Sequence, residues 1–208
     1  MIDEVRSEVW RHAVAMGERG LVVGSAGNVS ARIDGERIAI TPTSIPYDEM
    51  SADQIVIIPD EDRARASFEL PTHLEIYRAR PDVGAIVHTH SPHVTALSLL
   101  RKPLPPMIDE MMIYLGGTIE VAEYAFSGSE DLGRNAVRAL GDRAAVILSN
   151  HGDVCVGRTL TEALHIAMVM ESSARVVLEA LRSGQPVALP PEAVEKGRRM
   201  YEARIRIR

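Results

Sequence analysis

The stretch "AIVHTHSPH", residues 85–93, decides how the rest of the chain is interpreted. An apolar run leads directly into three histidines, in a chain that has seven histidines among its 208 residues. Side chains on a β-strand alternate between the two faces, so a strand here would project His88 and His90 to one side and Thr89 to the other. Imidazole pairs suit zinc and neighbouring transition metals, and a catalytic metal commonly has three protein ligands. The stretch therefore predicts two ligands of a metal site.

A third ligand is available in "ILSNHGD", residues 147–153. His151 follows an apolar run that is typical of a strand, and the glycine after it lets the backbone turn tightly. The pattern H-x-H alone does not separate a metal pair from structural or surface histidines. The remaining histidines lie in helix-like or loop segments, and we assign them ordinary packing or surface roles: His12, His73, His93 and His165.

Composition limits the class of protein. Hydrophobic residues make up 46% and charged residues 25%, which is typical of one globular domain over residues 1–208. The net charge is -6 and arginines concentrate only in the tail "GRRMYEARIRIR", so we expect neither a nucleic-acid nor a membrane partner. The single cysteine, Cys155, and the absence of a signal-peptide pattern indicate a cytoplasmic protein.

Hydrophobic periodicity predicts alternating helices and strands. Helices are expected at 3–19, between Pro71 and Pro81, and at 92–100, 127–140 and 161–183. Strands are expected at 28–33, 37–41, 53–59, 84–90 and 118–125, and residues 143–152 are expected to form an apolar strand that breaks into a polar turn. Asp34-Gly35 favours a tight hairpin turn, and the spacing of Ser127 and Glu130 predicts a capping box. The alternation indicates the α/β class, with a sheet between helices.

Five motifs in this order resemble those of the class II aldolase/adducin family. They are "GSAGNVSAR" (24–32), "ITPTSIPYDEM" (40–50), "FELPTHLEIYRARPDVGAIVHTH" (68–90), "EYAFSGSEDL" (123–132) and "NHGDVCVG" (150–157). The resemblance covers nearly the whole chain. It implies a three-layer α/β/α domain with a central, mostly antiparallel sheet, and assembly into a homotetramer with the active site at the subunit interface.

The resemblance also implies a chemistry. In the aldolases of the family, metal-binding histidines correspond to His88, His90 and His151, and a catalytic acid corresponds to Glu69. The metal is expected to be Zn²⁺, with Mn²⁺, Co²⁺ or Fe²⁺ as alternatives. The expected reaction is reversible cleavage of a carbon–carbon bond in a small hydroxy-ketone or sugar phosphate, through an enediolate that the metal stabilises. Without the resemblance, Glu69 would be explained as an acid favoured by a helix N-terminus.

A phosphate site is implied less completely. Gly27, Asn28, Thr43 and Ser67 match the family residues that hold a substrate phosphate. Ser44 replaces a glycine, and Phe68 replaces a second serine. Oriented N–H groups and hydroxyls can hold an anion without lysine or arginine, yet phenylalanine removes a donor and adds bulk. Whether the substrate is phosphorylated therefore stays open, as does the alternative that Phe68 turns into the core.

The proton donor for the leaving aldehyde is also open. The family uses a tyrosine or an aspartate from a neighbouring subunit, and the corresponding segment offers Asp109 and Glu110. Tyr201 aligns with a tyrosine of a C-terminal segment that covers the aldolase site; the alternative is a surface tyrosine on a terminal helix.

Three other functions belong to the same family. Some members are decarboxylases of 3-oxo or aromatic acids, some are sugar-phosphate 4-epimerases, and the adducin branch is a scaffold without the metal histidines. The joint presence of His88, His90, His151 and Glu69 favours an enzyme over the scaffold.

Overall fold

A single seven-stranded sheet organises the protein in a computed structural model that describes residues 2–206. The strands are β1 (Asn28–Arg32), β2 (Ile38–Ile40), β3 (Val56–Ile58), β4 (Ala85–Thr89), β5 (Val121–Ala122), β6 (Ala145–Leu148) and β7 (Gly152–Gly157). Their order across the sheet is β3-β2-β1-β4-β7-β6-β5. Every neighbouring pair is antiparallel except β5–β6, which is parallel. The predicted mostly antiparallel sheet is confirmed.

Helices cover both faces of this sheet. They are α1 (Ile2–Glu18), α2 (Leu70–Ala79), α3 (Pro92–Ser98), α4 (Glu130–Leu140), α5 (Leu160–Ser183) and α6 (Pro191–Arg206). One buried cluster joins α1, α3, α5 and α6 to the sheet, and a second joins α2 and α4 to its other face. Neighbouring strand residues alternate between the clusters, as Val87 and Ile86 do on β4. Along residues 2–206, no helix combines the length and apolar character needed to cross a bilayer.

Strand β4 has the position that matters most for function. It pairs with β1 on one side and β7 on the other, and all five of its residues are buried. Asn28 lies opposite His88 in the first pair, and Asp153 lies opposite Thr89 in the second. The sheet thus fixes three chemically important segments side by side.

Two local predictions were wrong in detail. The turn at Asp34-Gly35 is wider than a two-residue hairpin, because Oδ1 of Asp34 accepts the N–H groups of Glu36 and Arg37. The N-cap of α4 is Ser129, whose Oγ accepts the N–H of Leu132; Ser127, the predicted cap, lies two residues too early. At the turn the Asp34 side chain stabilises a longer loop, and at the helix the serine adjacent to the first turn makes the capping bond.

Candidate active site

A cleft of about 230 Å³ opens where β4, the β6–β7 turn and the start of α2 meet. Its lining comprises Ser25, Gly27, Asn28, Pro42, Thr43, Ser44, Ser67, Phe68, Glu69, His88, His90, Ser127 and His151. The structure therefore brings together the three predicted metal ligands, the predicted catalytic acid and all five predicted anion-binding residues. These residues are far apart in the sequence, so the shared cleft is a consequence of the fold.

The three histidines form a compact cluster. Their ligating nitrogens all lie within 4.8 Å of one another, and Nε2 of His88 is 3.0 Å from Nε2 of His90. The ring centroids are 4.7 to 4.8 Å apart, with planes inclined by 70 to 72°. This near-threefold arrangement brings the three rings close enough together to hold one metal ion.

Hydrogen bonding and burial prepare the rings for a metal. Nδ1 of His88 donates to the backbone oxygen of Asp153 at 2.8 Å, which leaves Nε2 as the free acceptor. Burial lowers the pKa of His90 to about 4 and lowers the pKa of His88 well below its usual value. Burial also lowers the pKa of His151. Neutral imidazole is the form that binds metal, so the cluster fits a divalent transition metal.

Glu69 lies beside this cluster, immediately before α2. It is 6% exposed, and its two carboxylate oxygens accept separate hydrogen bonds. The backbone N–H of Gly128 donates to Oε1 at 2.9 Å, and the hydroxyl of Thr72 donates to Oε2 at 3.0 Å. The carboxylate is therefore held in one orientation at the edge of the cleft.

The predicted anion-binding residues form the other end of the cleft. Gly27 has φ +73, and a Cβ there would lie 2.6 Å from the backbone oxygen of His88, so only glycine fits. Ser44 keeps a left-handed conformation, φ 59, although it is not glycine. Oγ of Ser67 accepts the N–H of Glu69 at 3.3 Å, so its own proton is available to a ligand. Among residues 2–206, no lysine or arginine lines the cleft.

Phe68 points outward at the lip of the cleft. Its side chain is 62% exposed, so the alternative that it turns into the core is wrong. The ring packs against the backbone of Gly128, where an added Cβ would lie 2.3 Å from the ring. The phenylalanine thus forms an apolar wall beside Ser67 and Glu69.

Three predicted residues lie away from this cleft within the chain. Asp109 and Glu110 are exposed and do not line it. Tyr201 is 1% exposed on α6, and its hydroxyl donates to the backbone oxygen of Asp142 at 2.9 Å. It is therefore neither a cleft residue nor the surface tyrosine of the alternative interpretation; it packs in the core against Gly116.

Some residues of the site were missed from the sequence. Oγ of Ser127 lies 3.3 Å from Nε2 of His151, and Gly128 orients Glu69. His73, assigned a packing role, hydrogen-bonds Asn28 from behind the cleft. The only sequence feature that could have linked His73 to the site is its position one helical turn after Glu69. A residue that merely packs in the core can have the same position.

Comparisons with known proteins indicate the family of the chain. Residues 7–178 match the family described as Class II Aldolase and Adducin N-terminal domain. The chain is 35% identical over 181 residues to a 5-methylthioribulose-1-phosphate/5-deoxyribulose-1-phosphate aldolase of Rhodospirillum rubrum, covering 85% of this chain and 81% of that protein. It is 36% identical over 172 residues to an L-fuculose phosphate aldolase of Escherichia coli O6:H1, covering 81% and 80%.

A solved structure supports the same assignment. An L-fuculose 1-phosphate aldolase structure superposes with a TM-score of 0.90 at 33% identity, over 96% of each chain. The sequence motifs, the fold and the composition of the cleft agree. This protein belongs to the class II aldolase and adducin family.

Proposed function

We propose that this protein is a metal-dependent aldolase that reversibly cleaves a short-chain ketose 1-phosphate. One observation carries the proposal: a single cleft joins a three-histidine cluster and a held carboxylate to a set of neutral hydrogen-bond donors. The relatives named above are aldolases of ketose phosphates, which supports a phosphorylated substrate here. A scaffold protein would have no use for this combination.

In the proposed mechanism, His88, His90 and His151 hold the metal. When bound, a divalent ion would polarise the substrate carbonyl and offset negative charge as the carbon–carbon bond breaks. Zinc is the first expectation for three imidazoles, and manganese, cobalt and iron also suit them. The hydrogen bond from His88 to Asp153 keeps the ligand ring in one tautomer throughout.

Glu69 is proposed to move the proton. In the cleavage direction, the bond between C3 and C4 breaks, its electron pair goes to the ketone fragment as an enediolate, and C4 becomes an aldehyde. Protonated Glu69 then delivers a proton to C3; in synthesis it removes that proton. Thr72 and Gly128 restrict the carboxylate to the cleft edge, which suits transfer to a fixed carbon.

The C4 hydroxyl must lose a proton during cleavage. Glu69 is the one carboxylate among the lining residues, so a second acid–base group is needed. We propose that Asp109, or its neighbour Glu110, supplies it from a second subunit of a homotetramer. Both carboxylates are exposed on the surface of the chain, which is consistent with action across a subunit boundary.

The phosphate is proposed to bind at the end formed by Gly27, Asn28, Thr43, Ser44 and Ser67. The left-handed backbone at Gly27 and Ser44 turns the chain sharply on two sides of this end. Hydroxyl and amide groups in such turns can hold an anion without a cationic side chain. Phe68 reduces the number of donors, so we expect Ser44 to contribute its hydroxyl.

The deciding experiment combines metal analysis with a substrate panel. Purified protein is reconstituted separately with Zn²⁺, Mn²⁺, Co²⁺ and Fe²⁺, and about one ion per chain is expected. The panel contains L-fuculose 1-phosphate, 5-deoxyribulose 1-phosphate, 5-methylthioribulose 1-phosphate and their unphosphorylated forms. The readout is release of dihydroxyacetone phosphate from the phosphorylated sugars and of dihydroxyacetone from the unphosphorylated ones. L-Ribulose 5-phosphate and 3-oxo acids test epimerase and decarboxylase activity. A protein that binds metal and releases carbon dioxide, or only epimerises, would contradict the proposal.

A further inference from the structure

A chain of four buried polar side chains leads from the interior of the protein to the cleft. Its members are Tyr77 and His73 on α2 and Ser30 and Asn28 on β1, and each is 4% exposed or less. His73 and Tyr77 are four residues apart on a helix, whereas Asn28 and Ser30 are two apart on a strand. The two periods place both pairs on the surfaces where α2 and β1 face each other.

The distances define a continuous set of hydrogen bonds. The hydroxyl of Tyr77 is 2.8 Å from Oγ of Ser30, and that oxygen is 2.6 Å from Nδ1 of His73. Nε2 of His73 is 2.5 Å from Oδ1 of Asn28. The strand and the helix are thus joined by polar contacts in an otherwise apolar layer.

The positions of the protons follow from the Asn28 end. An amide oxygen only accepts, so Nε2–H of His73 donates to Oδ1 of Asn28. A neutral imidazole has one donor and one acceptor nitrogen, so Nδ1 accepts from the hydroxyl of Ser30. Oγ of Ser30 in turn accepts from the hydroxyl of Tyr77. Burial lowers the pKa of His73 to about 3, so the ring stays neutral over the ordinary pH range.

This order has a consequence inside the cleft. With Oδ1 of Asn28 held by His73, the amide nitrogen is left for the cleft that Asn28 lines. A free amide can rotate and present either its oxygen or its nitrogen, and the oxygen would repel an anion. Fixing the amide therefore ensures that a ligand in the cleft meets the positive N–H end of the amide dipole and not the negative oxygen end.

We propose that His73 is a positioning residue that holds the Asn28 amide with its N–H group toward the substrate anion. The inference rests on the proposed function, because it assigns a cause to the anion selectivity of that same cleft. His73 itself touches no ligand and acts only through Asn28.

The first test measures the tautomer directly. Nitrogen-15 NMR of the histidine rings in the whole protein should show His73 as the neutral Nε2–H form from pH 6 to 8. Tyr77→Phe, which retains the aromatic ring, should allow a mixture of the two tautomers. A wild-type ring protonated on Nδ1 would overturn the inference without any measurement of activity.

The second test measures anion binding with inorganic phosphate as the probe, by phosphorus-31 NMR titration of the metal-loaded protein. His73→Leu and Asn28→Ala should each weaken binding by roughly tenfold, the size of one hydrogen bond to a charged group. The double variant should be no weaker than either single one. His73→Gln, which can still donate to Oδ1, should recover most of the affinity.

Ile76→Val provides the matched control, since this buried residue lies on the same helix outside the polar chain. It should bind phosphate like the wild type even though it loses stability. If His73→Leu binds as tightly as the wild type, the positioning role is wrong while the proposed function stands. If the wild type binds no phosphate and cleaves no ketose phosphate, the proposed function fails and the inference fails with it.

Discussion

The two ends of the cleft are built in different ways. At the histidine end, His88 is on the central strand β4, His90 directly follows it, and His151 lies in the short turn between β6 and β7. At the anion end, Gly27, Thr43 and Ser44 lie in connecting segments with left-handed backbone at two of the three positions. The histidine end is anchored at the ends of neighbouring strands of the sheet, whereas the anion end, apart from Asn28 on β1, is formed by loops.

The two ends also differ in function: the residues assigned to the reaction lie at the histidine end, and those assigned to substrate binding lie at the anion end. Every residue that the resemblance assigns to metal binding or proton transfer at the histidine end keeps its expected type. Within the cleft, both departures from the family pattern, Ser44 and Phe68, fall at the anion end. Loops tolerate substitution better than paired strands do, so a family can change its substrate there and retain its reaction.

The largest expected effect comes from breaking the histidine end. His88→Ala should abolish stoichiometric metal binding and lower kcat about a thousandfold, because several kcal/mol of transition-state stabilisation come from the ion. Metal content by mass spectrometry and initial rates check this. His93→Ala is the matched control: this histidine belongs to the same stretch but hydrogen-bonds Glu171 outside the cluster. Equal metal loss in both variants would contradict the assigned ligand set.

Glu69→Gln should give the next largest effect. Loss of the proton-transfer group should lower kcat by about a hundredfold to ten-thousandfold. Metal content should not change, because Glu69 is not one of the three clustered histidines. Gln can accept the N–H of Gly128 through its oxygen and donate to the hydroxyl of Thr72 through its nitrogen, so the side chain keeps its place. Glu75→Gln, on the same helix but paired with Arg78, should behave like the wild type. A Glu69→Gln enzyme with normal kcat would remove this residue from the mechanism.

The pH dependence of stability should come from the histidine end of the cleft and not from the anion end. The titratable residues that line the cleft, Glu69 and the three histidines, all lie at or beside the histidine end. The pKa of His90 is lowered to about 4, so between about pH 6.5 and 4 the unfolded chain binds a proton that the folded metal-free protein excludes. Stability therefore rises with pH in this window and is lost on acidification, by about 2 kcal/mol for this ring after allowance for its partial exposure.

Urea unfolding of metal-free protein at pH 6.5 and 4.5 measures the difference. His90→Gln should show a weaker pH dependence than the wild type. Ser67→Ala, a change at the anion end, should retain the full dependence. If the free energy of unfolding changes equally between the two pH values in all three proteins, His90 is excluded as a source of the acid sensitivity.

The smallest effect concerns Ser44. Its left-handed backbone costs a non-glycine residue on the order of 1 kcal/mol, so Ser44→Gly should raise the free energy of unfolding by about that amount or less. Loss of the hydroxyl should raise KM for a ketose phosphate a few-fold, with kcat unchanged. Ser44→Ala separates the two effects, because it loses the hydroxyl and keeps the backbone strain. A KM that does not change in either variant would exclude Ser44 from anion binding.

Much of the fold was predictable because its signals are local. Alternating apolar residues identified β1, β2 and β4, and Pro71 and Pro81 limited α2. The order of the strands was not predictable from periodicity, since β4 pairs with the distant segments β1 and β7. Strand β5 has only two residues, so most of the extended segment predicted there forms no ladder.

The site was predictable to a different degree at each residue. His88 and His90 face one side because strand alternation is a local rule, whereas His151 joins them only through the β4–β7 pairing. The role of His73 could not be predicted, because the sequence pattern of a histidine on a buried helix face is the same whether the ring only packs or also orients another side chain. Tyr201 was misleading because alignment gives a position in the sequence and no information about the direction of the side chain.

The central position of β4 has a consequence for how the proposed metal ion would be acquired. Small zinc domains are unfolded until the ion arrives, and the ion then supplies their folding energy. Here the strand that carries His88 is hydrogen-bonded on both sides and buried along its length. His88 is therefore preorganised by the apolar interior, and binding of the proposed ion would order almost no chain at this strand. A protein built in this way would release one metal and take up another without unfolding, so the ion in use would be set by metal supply as much as by affinity.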